Sequence, residues 1–298
     1  MPRIIMYHGF CKTGDTDLQR LPIDQFCKQL CYIKKHYYPL KVSELVSARK
    51  SNGSYPENAV AVTVDDGYED FYHLALPVLK ELGIPATVFV LADLTEENGW
   101  MWPDKFQYIE ERLRGSSNEL IPKVSKQLLA NLKKIPVNKR DEQIRDIAQN
   151  YNIKIPLNPP RKYKLMSWDQ LQDVIKTELI EIGSHTCTHP ILSHLNTEDS
   201  WYEINKSKKK ISEKLKIEIS SFCYPNGKPD DYREEHKIML EQAGYLFGIA
   251  AHFGYVEKKS NIYALPRIRS GGRDFNLFRN YLDGCDYFLR KIFKKSNT

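Results

Sequence analysis

Two short polar segments, each directly after an apolar run, carry the residues best suited to chemistry. Asp65 and Asp66 follow the run that begins at Ala59, and His185 and His189 follow a second run. Two adjacent carboxylates repel one another unless a cation or a hydrogen-bond network compensates. Both segments could instead be purely structural: Asp-Asp-Gly is common in turns, and histidines often serve only in packing.

Taken together, the two segments offer one carboxylate and two imidazoles as metal ligands. This set leaves coordination positions open for water and substrate. If this segment takes a helical turn, His185 and His189 lie on one face, while Cys187 faces elsewhere and packs. The remaining carboxylate is then free to act as general base on water, whose pKa such metals lower to about 7. The pattern therefore favours hydrolysis.

The elements that position these segments alternate between short β-branched runs and helical patterns, which predicts an α/β protein with mainly parallel strands. The predicted strands are Arg3–His8, Ala59–Asp65, Ala86–Ala92, Leu179–Ser184, Ser220–Tyr224, Leu246–Ala251 and Ile262–Ile268. The predicted helices between them are Ile23–His36, Leu74–Leu82, Asp169–Lys176, Tyr202–Leu215 and Asp231–Ala243. Both polar segments fall where a predicted strand ends.

A long interval without a strand, about residues 95–164, interrupts this alternation with three helical patterns. We predict an inserted helical subdomain on the rim of a single domain that spans residues 1–298. It either shapes the substrate site as a lid or simply covers barrel surface. Trp100 and Trp102 lie near its start. Their indole rings either bind the apolar faces of a sugar or are buried.

The motifs in series resemble the polysaccharide deacetylases, also called carbohydrate esterase family four or the NodB-homology group. The resemblance rests on the sequence TVDDG at residues 63–67 and HTCTH at residues 185–189, flanked by GIPATVF at 83–89 and MSW at 166–168. It covers most of the chain apart from the insertion. It implies a distorted (β/α)7 barrel, similar to a TIM barrel, that removes acetyl groups from N-acetylated sugars with a divalent metal, which we expect to be zinc.

By the same resemblance, Asp65 is the catalytic base, and Asp66, His185 and His189 are the metal ligands. Such barrels place their chemistry at the carboxyl ends of the strands. Three further roles depend on how this sequence departs from the family.

Where many members carry Arg-x-Pro-Tyr, this chain has FCYPNG at residues 222–227. We expect Arg267, at the end of the last strand, to replace the missing cation or to bind substrate; the alternative is a surface arginine. The backbone near Tyr224 is expected to bind substrate and to hold the oxyanion. The usual Leu-x-His motif is absent, so His8 is expected to be the general acid, with His252 as the alternative.

Composition excludes several other classes of protein. The 298 residues include 44 Lys+Arg and 38 Asp+Glu, a net charge of +6 without a basic face, which argues against a nucleic-acid partner. No glycine-rich phosphate loop or Gly-x-Ser-x-Gly elbow is present. Two hypotheses stay open beside a deacetylase: hydrolysis of another acyl group or cyclic amide on the same barrel, and a non-catalytic sugar-binding module.

The two ends of the chain bear on location. The N-terminal apolar run is too short for a signal peptide, which predicts a cytoplasmic protein acting on a soluble or lipid-linked precursor. The segment Phe275–Lys295 is amphipathic and ends in a basic cluster, Arg290, Lys291, Lys294 and Lys295. It either docks on an anionic membrane or packs on the barrel and leaves a solvated tail. The six cysteines are expected to be reduced.

Overall fold

Seven parallel strands close into the barrel that carries the polar segments. A computed structural model describes residues 1–17, 19–114 and 121–285. The strands follow one another around the ring in chain order, and the last returns to the first through the pairs Ile5 with Ile268 and Met6 with Arg269. They are β1 Arg3–Tyr7, β2 Ala59–Val64, β3 Ala86–Val90, β4 Ile180–Ser184, β5 Ser221–Cys223, β6 Phe247–Phe253 and β7 Leu265–Arg269. The predicted (β/α)7 barrel is confirmed.

The largest difference from the predicted strands lies at the start of β7, which begins at Leu265 instead of Ile262. The Asn261 side chain accepts the backbone N–H of Tyr263 at 2.8 Å, so the chain forms a turn before it enters the strand. Such side-chain bonds compete with strand pairing.

The register between β6 and β7 shifts near the site. Leu265 pairs with Ile249, but Arg267 pairs with Phe253, so β6 carries extra residues over the same interval. This bulge distorts the barrel close to Ala251.

Both faces of the strands are buried, as in other parallel sheets. Ile4 and Ala61, which pair in register, belong to one cluster of buried side chains together with Phe89. Their neighbours Ile5 and Val62 belong to a second cluster that packs against the outer helices. This two-sided burial explains why β2 reads as an apolar run at nearly every position.

The five predicted barrel helices lie close to observed ones, and the helix at Ile23–His36 matches its prediction at both ends. Three further helices were not predicted: Val42–Asn52, Ala92–Glu97 and Thr197–Trp201. Two predicted helices begin in π-helical turns, at Phe71–Ala75 and Tyr202–Lys206. The barrel helices are α1 Ile23–His36, α2 Val42–Asn52, α3 Leu76–Leu82, α4 Ala92–Glu97, α8 Trp168–Ile175, α9 Thr197–Trp201, α10 Ser207–Leu215, α11 Glu234–Gln242 and α12 Phe275–Asp283. Short strands occur at Phe10–Cys11, Leu21–Pro22 and Tyr38–Pro39.

The insertion contains three helices and no strand among its described residues. They are α5 Trp102–Arg114, α6 Ile121–Leu132 and α7 Val137–Asn150. Phe106, Ile109, Leu132 and Ile144 form a separate small core between them. Helix α4 crosses the predicted boundary at residue 95 and packs on α10, so the insertion proper starts after it.

The C-terminal helix packs on the barrel over its described length. Phe278 and Leu282 are buried, and α12 ends at Gly284, whose φ of 89° stops the helix. Over this length the apolar stripe is used inside the protein, which agrees with the packing alternative. The basic cluster at residues 290–295 lies outside the described residues. No described helix is long and apolar enough to cross a bilayer.

Candidate active site

A cavity of about 360 Å³ opens at the carboxyl ends of the strands. Strand ends supply most of its polar lining, because the carboxyl ends of parallel barrel strands meet at one face. The insertion supplies part of its wall. All the residues that the sequence assigned to a site line this cavity: His8, Asp65, Asp66, Trp102, His185, His189, Tyr224 and Arg267.

A left-handed turn lets both adjacent carboxylates face the cavity. The N–H of Asp65 still donates to the carbonyl of Tyr7 at 3.0 Å, as a strand residue would. Asp66 then adopts a φ of 73°, which reverses the direction of the chain. Gly67 has the same φ, and a Cβ there would lie 3.0 Å from Val90, so the turn requires glycine. Such backbone strain is concentrated at functional sites.

Asp66, His185 and His189 form a cluster that fits one divalent ion. The Asp66 Oδ1 atom lies 3.4 Å from His185 Nε2 and 3.5 Å from His189 Nε2. A tetrahedral ion with bonds of about 2.0–2.1 Å holds its ligand atoms about 3.3–3.4 Å apart. Both carboxylate-to-imidazole distances are thus close to ligand spacing, and all three donor atoms lie within 4.8 Å of one another.

The charges in this cluster also suit a metal. Burial raises the pKa of Asp66, but its hydrogen bond with His185 and the charges of His8 and His189 outweigh burial and hold it well below the usual range. Burial lowers the pKa of His189 to about 4, so this imidazole is neutral near pH 7. Burial opposes charge on His185 too, but the neighbouring Cys223 and Asp66 side chains raise its pKa.

The expected helical turn between the two histidines is wrong. Thr186 and His189 have φ values of 74° and 63°, which no right-handed helix allows. Instead, the Glu203 carboxylate accepts the N–H groups of Cys187 at 2.7 Å and Thr188 at 3.1 Å. Cys187 itself is fully buried, as expected. A carboxylate from a distant helical turn therefore shapes this loop.

A second possible ligand group, Asp65, His185 and Cys223, is excluded by its hydrogen bonds. His185 Nδ1 donates to the carbonyl of Cys223 at 2.7 Å, which leaves only Nε2 as a donor to a metal. Both oxygens of Asp65 pair with Arg267. The Asp66 group is therefore the candidate metal site.

Arg267 orients Asp65 and is not available to substrate. It is 2% exposed, and its two terminal nitrogens each donate to one oxygen of Asp65 at 2.7 Å. Its remaining donors contact Ala250, Thr63 and Cys223. The surface-arginine alternative and the substrate-binding assignment are therefore both wrong. Burial raises the pKa of Asp65, but the Arg267 charge and hydrogen bonds reverse this and keep it low.

The two candidate acids differ in position. His8 lines the mouth of the cavity, its side chain is 47% exposed, and its Nε2 lies 3.8 Å from Asp65 Oδ2. His252 lies on the β6 bulge and does not line the cavity. This placement favours His8 over His252.

The polar groups of Tyr224 are already used within the protein. Its hydroxyl donates to the carbonyl of Tyr263 at 3.0 Å, and its backbone N–H donates to the carbonyl of Ile249 at 3.0 Å. The expected oxyanion role is therefore wrong for the amide of Tyr224 itself. The sequence missed Asn226, which lines the cavity and whose N–H makes no hydrogen bond within the described residues. Its place in the Tyr-Pro-x-Gly segment was the available signal.

The two tryptophans are mainly structural. Trp102 borders the cavity but is only 7% exposed, its ring packs against the Arg140 guanidinium, and its indole N–H donates to the carbonyl of His189 at 3.2 Å. Trp100 does not line the cavity and stacks on Tyr163. The predicted sugar groove on these rings is thus wrong for Trp100, while Trp102 links the insertion to a candidate ligand.

A buried acid behind the cavity was also missed. Tyr68 lines the cavity and its hydroxyl bonds to Asp104 Oδ1 at 2.7 Å. Asp104 is 3% exposed, and burial raises its pKa to about 8. No local pattern indicates this pair, because Asp104 belongs to the insertion and Tyr68 to the barrel.

A closed barrel of seven parallel strands, with an Asp-His-His cluster beside an oriented carboxylate, defines a barrel hydrolase with a candidate metal site. The sequence model of the family described as polysaccharide deacetylase matches residues 52–247. The chain therefore belongs to the polysaccharide deacetylase family, and the predicted family and its hydrolase class are confirmed.

Two curated relatives carry the names of deacetylases. The chain is 23% identical over 282 residues to YxkH of Bacillus subtilis, which bears a polysaccharide deacetylase name, covering 94% of this chain and 75% of that protein. It is 22% identical to the poly-β-1,6-N-acetyl-D-glucosamine N-deacetylase of Staphylococcus aureus, covering 82% of this chain and 65% of that protein.

Two solved structures share the fold. The Streptococcus pyogenes deacetylase PplD, in complex with acetate, has a TM-score of 0.61 and 21% identity, covering 90% of this chain and 91% of that one. IcaB from Ammonifex degensii has a TM-score of 0.61 and 14% identity, covering 95% of each chain.

Proposed function

We propose that this chain is a metal-dependent deacetylase that hydrolyses the N-acetyl group of an N-acetylated amino sugar in a glycan or glycan precursor. The observation that carries the proposal is the cluster of Asp66, His185 and His189 beside Asp65, which Arg267 orients. The name of the Staphylococcus aureus relative supports an acetylated glucosamine polymer as the substrate class.

The residues of the site supply what amide hydrolysis requires. A base must take a proton from water, and an acid must give one to the departing amine. Asp65 is ionised and buried, which suits the base, and His8 at the cavity mouth suits the acid. The N–H of Asn226 can donate to the acyl oxygen as negative charge develops on it. A bound divalent metal supplies Lewis acidity and lowers the pKa of water.

The metal is proposed to be zinc, because two imidazoles and one carboxylate are typical of catalytic zinc sites. The test combines elemental analysis of the purified protein with detection of acetate released from N-acetylglucosamine oligosaccharides. We expect metal and acetate release in the wild type, and loss of both in His185→Ala and His189→Ala. His36→Ala, an exposed histidine on α1, is the control. Full metal occupancy in both ligand variants would contradict the assignment.

The same assay separates the alternatives. Release of a different acid would indicate another acyl or cyclic amide substrate, since metal, base and acid would serve any carbonyl. Saturable sugar binding with no released product would indicate a binding module.

The cytoplasmic location, the lipid-linked substrate and the membrane contact stay predictions. Phe278 and Leu282 are buried against the barrel, which supports the alternative in which the apolar stripe of this segment packs inside the protein. Co-sedimentation with anionic liposomes at low salt tests the docking hypothesis. Equal, negligible binding by the full chain and by a chain ending at residue 287 would refute it.

A further inference from the structure

The cavity wall carries more positive than negative charge. Four cationic side chains line it against two carboxylates. Arg267 neutralises Asp65, and the other carboxylate belongs to the metal cluster. Three cations remain, and they form no ion pair with a carboxylate of the described residues: Lys133, Lys228 and Arg269. The reaction as proposed uses none of them.

Two of these cations lie on the same wall. Lys133 follows helix α6 of the insertion, and its Nζ donates to Asn226 Oδ1 at 2.7 Å. Lys228 comes two residues after Asn226. Burial lowers the pKa of Lys133, and the nearby charge of Lys228 lowers it further. Holding two like charges together is unfavourable unless an anion binds between them. Arg269 lies apart, at the end of β7 beside Met6.

The nearby carboxylate of Asp231 does not neutralise the positive charges of Lys133 and Lys228. Asp231 opposes the lowering of the Lys133 pKa, but it forms no ion pair with either lysine. Its Oδ2 accepts the side-chain amide of Asn226 and the backbone N–H of Lys228, the latter at 2.7 Å. Asp231 therefore shapes the loop and does not line the cavity. Both ammonium groups keep donors for a ligand.

We infer that the sugar substrate carries an anionic group, a carboxylate or a phosphate, which binds to Lys133 and Lys228. This inference rests on the proposed function, because it places the anionic group on the same substrate whose N-acetyl group reaches Asp65. Lys133 belongs to the insertion, so the insertion helps to select the substrate instead of merely covering barrel surface. Lysine binds either anion as a point charge.

The test uses three matched disaccharides of N-acetylglucosamine. One is neutral, one carries a phosphate on O6 of the second ring, and one carries a carboxylate at C6 of the second ring. Acetate release gives kcat/KM for each, and calorimetry gives the affinity of each separately. Two charged hydrogen bonds should raise the kcat/KM and the affinity of the better anionic sugar about tenfold or more over those of the neutral sugar. The preference should shrink as salt is raised, because ions screen exposed charges. The stronger of the two anionic sugars identifies the group.

Variants then assign the preference to the lysines. Lys133→Met and Lys228→Met should each reduce the anionic-to-neutral ratio several-fold. Lys134→Met is the matched control, because Lys134 is exposed and does not line the cavity; its ratio should equal that of the wild type. A purely structural role for Lys133 would lower both rates together and leave the ratio unchanged.

The outcomes separate this inference from the proposed function. Hydrolysis of all three sugars at ratios within twofold would overturn the anionic substrate and leave the deacetylase standing. Tighter, lysine-dependent binding of an anionic sugar without acetate release would support the anionic site and refute the deacetylase. Equal binding and no release would refute both.

Discussion

Replacement of Arg267 by methionine tests how the barrel orients Asp65, the proposed base. Arg267 is 2% exposed and forms two hydrogen bonds of 2.7 Å to the carboxylate of Asp65. Methionine has a similar length but no charge, so Arg267→Met leaves a buried carboxylate without its cation. The substitution removes the ion pair between β7 and the end of β2, and with it the weaker Arg267 contacts to Ala250, Thr63 and Cys223.

The expected magnitude follows from this geometry. Breaking a buried ion pair by removing one partner costs about 3–5 kcal/mol. One pKa unit corresponds to about 1.4 kcal/mol, so the pKa of Asp65 should rise by about two units or more. In the wild type the native pKa of Asp65 lies below its unfolded value of about 3.9. The ionised carboxylate therefore stabilises the fold above about pH 3.9, and this stability is lost as the pH falls through the native pKa. In Arg267→Met the native pKa of Asp65 is raised by burial instead, so the stability of the fold decreases as pH rises.

The assay is the pH profile of kcat/KM for acetate release, together with thermal unfolding at each pH. We expect the acidic limb to move to higher pH by about two units, because Asp65 must lose its proton to act as base. Arg267→Lys should shift the limb less, since a single ammonium keeps the charge but not the paired geometry. Arg145→Met, an exposed arginine on α7, is the control. An unchanged acidic limb in Arg267→Met would refute the reasoning.

Four other predictions concern neighbouring groups. His8→Ala should lower kcat by about 10²-fold or more at unchanged metal content, while His252→Ala should not; the reverse result in the kinetic assay would move the acid to His252. Asp104→Asn should be more stable than the wild type at pH 8 but not at pH 4. The pKa of Asp104 is raised to about 8, so the wild type loses stability as pH rises between those values. The same difference in unfolding free energy between variant and wild type at both pH values, measured by denaturant unfolding, would contradict this. Glu203→Gln should weaken metal binding about tenfold by loosening the ligand loop, which a zinc titration would reveal. Trp102→Ala should destabilise the fold by about 3–5 kcal/mol; an unchanged melting temperature with a raised KM would restore the sugar-stacking hypothesis.

Local patterns predicted the seven barrel strands, five of the barrel helices and both motif segments, but not the helix α2. The apolar period of Ile23–His36 predicted α1 at both ends, and the β-branched run from Ala59 predicted β2. A buried parallel strand must be apolar on both faces, so its end is visible wherever polar residues begin. The two motif segments were therefore placed at strand ends from sequence.

The backbone conformations and hydrogen-bond partners of the site residues could not be predicted from the sequence. The helical turn proposed between His185 and His189 failed because left-handed backbone at Thr186 depends on support from Glu203. Asn226 was missed because the sequence does not show that the amide of Tyr224 is already paired with Ile249 of β6. Both outcomes depend on hydrogen bonds between segments that are distant along the chain.

The sequence by itself determined the alternating α/β elements and the two polar segments at strand ends, and its resemblance to a family indicated the barrel and the residues of the candidate metal cluster and base. Only the tertiary structure decided which groups act on them. Arg267 meets Asp65 across 202 positions, and Lys133 of the insertion meets Asn226 across 93 positions. A periodic pattern records which face of an element is buried, whereas a contact between distant side chains arises from the closure of the ring and the packing of the insertion on it.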